Sequence, residues 1–246
     1  HDGVGLAGRA GHELLDLHIA AGRGQGHGEL GRRGCLEQQG QALALVPLWE
    51  QQLGAAVLAL FGSGAAKASV AGLLEGAPLA VSLAGVAQSH GNALQLEPKG
   101  DGWVLHGSAA AVPLAGCASH ALLAAESQGQ TRLVWLDLHA AGVSRAAGRS
   151  QQHQDIADLH CNAVALPQDA VLAPGALAWL QPRAIAALAS LQVGVTGAQL
   201  RRTVQYVSER KQFDRVIGSF QLVAGQMADG HIALEALRSA LWQLVY

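Results

Sequence analysis

Two stretches of near-helical apolar spacing, separated by a charged corner, constrain this chain more than any other feature. Over about 30 residues from Pro182, Ile185, Leu188, Leu191, Val195, Leu200, Val204 and Val207 recur at helical intervals. Pro182 suits a first helical turn, where its missing N–H is not needed. After the corner, Val223, Met227, Leu234, Leu237, Leu241 and Leu244 recur at intervals of three, four and seven. Each stretch reads as a long amphipathic helix whose apolar stripe needs partners, so the pair predicts a helical bundle. The stripes themselves read as core packing, which leaves the chemistry to the corner.

That corner is Tyr206–Gln221, and it carries Arg210, Gln212, Phe213 and Gln221 within one short loop. A guanidinium can fork onto two phosphate oxygens, amides can fix orientation, and an aromatic ring can shield both from water. The plainer alternative is that an arginine at a helix end is a surface ion pair or cap. The order Arg210-Lys-Gln212-Phe213, followed by Phe220-Gln221, resembles the signature of the acyl-CoA dehydrogenase family. The resemblance implies that Arg210, Gln212, Phe213 and Gln221 reach across a subunit boundary to the pyrophosphate end of a neighbour's FAD.

The rest of the chain follows the same family order. Residues 1–77 read as a helical domain: Leu48 to Leu60 places Trp49, Leu53, Val57 and Leu60 on one face, and Gly62-Ser63-Gly64 ends it before a helix closing near Leu74. Residues 78–173 change period and predict an antiparallel β domain. Ala93 to Glu97 pairs with Trp103 to His106 across Lys99-Gly-Asp-Gly102, His120 to Glu126 pairs with Thr131 to Asp137, and Leu159 to Leu166 ends at Pro167. Residues 174–246 form the bundle. The expected class is α+β, with an N-terminal helical domain, a middle β domain and an incomplete C-terminal bundle. Gly102-Trp103-Val-Leu-His-Gly107 and Val164-Ala-Leu-Pro167 are similar to the family's middle-domain landmarks.

Composition narrows the class further. Half of the 246 residues are apolar, 14% are charged and the formal net charge is −2. That excludes a disordered chain and gives no basic patch for nucleic acid. Apolar runs are interrupted before membrane-spanning length and no charged-then-apolar leader opens the chain, so a cytoplasmic protein is expected. Cys35, Cys117 and Cys161 are odd in number and far apart, which reads as reduced thiols and no metal site. Gly26-His-Gly-Glu-Leu-Gly31 matches a dinucleotide fingerprint only by glycine density. Asp155 and Asp158, with His153 and His160, read as loop polars, and Glu235 with Arg238 as a solvated ion pair.

The departures from the family carry equal weight. By spacing, the stretch that holds Thr-Glu-Pro and Gly-Ser-Asp in active members is Val81–Gln88 here, polar only at Ser82 and Gln88. The stretch that usually holds Trp-Ile-Thr is Ala111-Val112-Pro113, with no stacking face and no N–H on the proline. No acid occupies Gln181-Pro182-Arg183, one of two places where the family sets its catalytic base. The other place lies past Tyr246, and with His1 at the start this reads as a fragment or a shortened homologue. No catalytic residue is therefore assigned. The favoured reading is a non-catalytic subunit that completes the FAD site of an active paralogue in a tetramer acting on a bulky or steroid-type acyl-CoA; the alternatives are a self-sufficient, homo-oligomeric FAD-dependent acyl-CoA dehydrogenase or a non-enzymatic structural homologue.

Overall fold

The computed structural model describes residues 27–83 and 94–243, with backbone alone at 27–33. The described residues divide into two compact units, 27–46 with 185–243, and 47–83 with 94–184. Helices and a mixed sheet together give the expected α+β class.

The second unit holds the sheet. Helix α2 (Leu48–Phe61) follows Pro47 and stops at Gly62, whose N–H returns to the Leu58 carbonyl at 2.9 Å. It is buried on nearly every side, through Leu53, Gly54, Ala55, Val57 and Leu58, although Leu60 of the expected stripe is exposed. Where one helix was expected up to Leu74, two short ones occur, α3 (Gly64–Ala68) and α4 (Val70–Leu74), broken at Ser69.

Seven strands follow: β1 (Leu79–Ser82), β2 (Gln95–Lys99), β3 (Gly102–Pro113), β4 (His120–Ser127), β5 (Gln130–Asp137), β6 (Val143–Arg149) and β7 (Asp155–Pro167). The β2–β3 and β4–β5 hairpins form where the turn residues place them, at Gly100-Asp101 and at Gln128-Gly129, whose φ values of 52° and 77° suit a two-residue turn. The sheet is mixed rather than purely antiparallel, because β4 pairs in parallel with β1 and, at one position, with β2. Leu105, Leu123, Val134, Leu136, Leu159 and Val164, each at most 1% exposed, form its core. Strand β6 has no sequence signal: Val-Ser-Arg-Ala-Ala-Gly-Arg is exposed from Ser144 onward and without alternation, and its pairing with β7 makes it a strand.

The first unit is helical: α1 (His27–Ala42), α5 (Ala176–Glu209, whose first residues belong to the other unit) and α6 (Gln221–Gln243). Helix α5 begins six residues before Pro182, which is interior and not in the first turn. Gly175, at φ 92°, supplies the turn into the helix. Glycines let α1 and α5 touch backbone to backbone: a Cβ on Gly194 would lie 2.0 Å from the Glu37 carbonyl oxygen, and one on Gly40 2.1 Å from that of Leu191. Arg238 of α6 donates to Glu37 of α1 at 2.9 Å and also to Glu235, so the expected surface pair is a three-residue bridge. His27 to Gly31 lie within α1, not in a phosphate-binding turn, and Gly26 and Leu244 fall outside the described residues.

Candidate functional site

Between α5 and α6 the corner folds as a tight hairpin that periodicity did not foresee, β8 (Lys211–Gln212) paired with β9 (Arg215–Val216), followed by a single 3-10 turn, Ile217–Ser219. Its two loop residues, Phe213 and Asp214, have φ of 52° and 61°. Positive φ at both positions is what a type I′ turn requires, yet Phe is an unusual occupant, so the conformation is strained. The hairpin is anchored by the Arg210 N–H to the Tyr206 carbonyl at 2.9 Å and the Ile217 N–H to the Arg210 carbonyl at 2.8 Å.

All four expected site residues lie in this corner and all are exposed. Phe213 is 87% exposed and stands edge-on to Phe220, with ring centroids 6.3 Å apart at 86°. Arg215, which sequence reading passed over, lays its guanidinium 4.0 Å from the Phe220 ring centroid. Gln221 opens α6. Arg210, Lys211 and Arg215 outnumber the two acids of the corner, Glu209 and Asp214. Uncommitted guanidinium groups and amides beside an aromatic pair fit a diphosphate and the base attached to it.

The end of β3 is different. The strand bulges between Ala109 and Val112, which puts Ala111 at φ 52°. The Ala111 N–H donates to Asp158 Oδ1 at 2.6 Å. Pro113 has no N–H, Leu114 donates to the Asp155 carbonyl at 2.9 Å, and Cys117 and Ala118 donate to the Leu114 carbonyl at 3.0 and 2.8 Å. These donors are spent inside the unit, a carboxylate stands against the bulge, and Ala111 offers only a methyl group. This end does not fit a flavin ring. The companion stretch, Val81–Gln88, begins in β1, where Val81 and Ser82 are buried, and residues 84–88 lie outside the described residues.

A buried acid does occur, at Glu50 in α2. It is 3% exposed, its Oε2 has no hydrogen-bond partner, and burial pushes its carboxyl from the ordinary 4.5 up to about 7 against the smaller, opposing effect of its own backbone N–H. Enclosed in this way it is a core acid of α2. Among the cysteines, which form no disulfide, Cys161 is buried, Cys117 is exposed and Cys35 is intermediate. No helix among the described residues is long and apolar enough to cross a membrane.

Residues 183–246 match the family described as acyl-CoA dehydrogenase, C-terminal domain. Acyl-CoA dehydrogenase FadE27 of Mycobacterium tuberculosis is 30% identical over 229 residues, covering 91% of this chain and 60% of that protein. Among solved structures, the Tcur3481-Tcur3483 steroid ACAD superposes with a TM-score of 0.83 at 34% identity, over 97% of this chain and 66% of that one. The ChsE4-ChsE5 complex from Mycobacterium tuberculosis gives 0.80 at 27% identity, over 95% of this chain and 68% of that one. The chain thus spans 60% of the length of FadE27.

Proposed function

The chain belongs to the acyl-CoA dehydrogenase family, an oxidoreductase family whose members depend on FAD, and from that premise we propose that it is the non-catalytic subunit of a heteromeric acyl-CoA dehydrogenase. In this reading it closes one end of a paralogue's FAD site and contributes neither a ring pocket nor a catalytic base. A cytoplasmic heterotetramer acting on a bulky, steroid-type acyl-CoA is the proposed setting. A steroid ACAD and a two-component complex among its structural relatives support that setting.

The observation that carries the reading is the end of β3, where the Ala111 N–H is taken by Asp158 and Pro113 has none to give. A chain whose ring end is spent while its hairpin keeps exposed guanidinium and amide groups has parts for one side of the cofactor only. Arg210 would fork onto the pyrophosphate, Gln212 and Gln221 would orient it through their amides, and Phe213 would cover the contact from water. When bound, FAD supplies the hydride acceptor for α,β-desaturation of the acyl thioester. In this reading the α-proton would go to a carboxylate of the paralogue.

Arg210→Ala tests the corner directly. A charge-assisted contact of this kind is worth roughly ten- to a hundredfold in affinity, so FAD retention by the assembled complex should fall by that factor. Unchanged FAD affinity with intact assembly would remove Arg210 from the site.

A further inference from the structure

We propose that Arg215 is a second anion-binding guanidinium of the corner, held ready by Phe220. The inference rests on the corner being an FAD site and adds a residue that the sequence motif did not pick out.

The hairpin register carries the argument. Gln212 lies directly opposite Arg215, and Lys211 opposite Val216. Directly paired residues share a face of a two-stranded ladder, and residues two apart along a strand share it too. The Ile217 N–H to Arg210 carbonyl bond continues the ladder by one step. Arg210, Gln212 and Arg215 therefore stand on one face, with Lys211 and Val216 on the other. One face of the hairpin presents two guanidinium groups flanking an amide, a pattern suited to two linked phosphates carrying one negative charge each.

Phe220 gives Arg215 a role beyond charge. A surface arginine ordinarily loses much side-chain freedom on gripping an anion, and that loss offsets most of the gain. Here the guanidinium already lies over a ring at 4.0 Å, and the same ring is braced edge-on by Phe213. Stacking uses the flat face of the guanidinium and leaves its N–H edge outward. Among the described residues the Arg215 side chain makes no hydrogen bond or ion pair, so that edge is uncommitted. The class of ligand it fits is a dinucleotide diphosphate.

The test measures FAD dissociation from the assembled complex, followed by flavin fluorescence, for wild type, Arg210→Ala, Arg215→Ala, Arg215→Lys and Phe220→Leu, with assembly checked by light scattering. Arg215→Ala should lose about tenfold or more. Arg215→Lys, which keeps the charge but not the planar fork, and Phe220→Leu, which keeps the arginine but not its platform, should fall between. Wild-type retention in Arg215→Ala beside a loss in Arg210→Ala would overturn this inference and leave the corner reading standing. Retention in both would overturn the two together. If Arg215→Ala does not assemble, Arg215→Lys decides, and wild-type affinity there would contradict the claim. An equal drop in melting temperature with and without FAD would assign Arg215 to the fold alone.

Discussion

Asp158 accepts a 2.6 Å hydrogen bond from the backbone N–H of Ala111, at a bulge where β3 turns its φ to 52°. Sequence separation hides this contact, and it decides what the end of β3 can bind. A donor that could have met a polar ring edge is tied to a side chain of the neighbouring strand, with a negative charge beside it.

Breaking that contact should cost stability without restoring a ring site. Asp158→Ala should destabilise by about 1 kcal/mol, since the acceptor is exposed, and lower the melting temperature by roughly 2–4 °C. FAD content should stay unchanged, because Pro113 still lacks an N–H and Ala111 a stacking face. Thermal denaturation and flavin absorbance check both halves.

The α1–α5 contact should be intolerant of a single methyl group. Gly194→Ala places a Cβ 2.0 Å from the Glu37 carbonyl oxygen, so the helices must separate, at a cost of about 1–3 kcal/mol or more. Gly225→Ala in α6 meets nothing within 4 Å and should stabilise by about 0.5–1 kcal/mol through helix propensity. Opposite shifts in urea midpoint are expected; equal shifts would contradict the packing described.

Glu50 should make stability pH-dependent. Its folded carboxyl titrates near 7 against an ordinary 4.5, so between those values the folded state holds a proton that the unfolded state has lost. The stability contributed by the neutral carboxyl is complete below about pH 4.5, declines as pH rises toward about 7 and is lost above it, a few kcal/mol at most. Glu50→Gln should flatten that part of the profile and be more stable than wild type at pH 8. Urea denaturation at pH 5 and pH 8 gives the comparison, and an unchanged slope would refute the assignment.

The chain should not persist as a lone monomer in solution. Leu222, Ile232 and Trp242 of α6 are 77%, 66% and 52% exposed, and Ile185 and Leu188 of α5 are exposed as well. Such a surface seeks cover, so the isolated chain should self-associate and the complete assembly should have a defined size. A stable monomer at micromolar concentration by light scattering would contradict this.

Much of this was legible because local chemistry and tertiary structure agree. The hairpins at Gly100-Asp101 and Gln128-Gly129 announce themselves by turn residues, and the long helices α5 and α6 by period. What was not legible depended on pairing. Strand β6 is largely exposed, without apolar alternation, and exists through β7. Pro182 looks like a helix start until Gly175 supplies an earlier one. Phe213-Asp214 is no turn signature, so the alignment of Gln212 with Arg215 could not be read. Glu50, in a Glu-Gln-Gln run, looks like a solvated face and is buried because α2 is enclosed on nearly every side. Asp158 reads as a scattered polar residue until the bulge at Ala111 meets it.

The central claim is that this chain completes a cofactor site and does not own one. Flavin absorbance, quantified against protein for the chain expressed alone and co-expressed with an acyl-CoA dehydrogenase paralogue, tests it most directly. The chain alone should be colourless or carry far less than one FAD per chain, and flavin should appear on co-assembly. Tight, stoichiometric FAD in the chain expressed alone would contradict the account and restore a self-sufficient dehydrogenase.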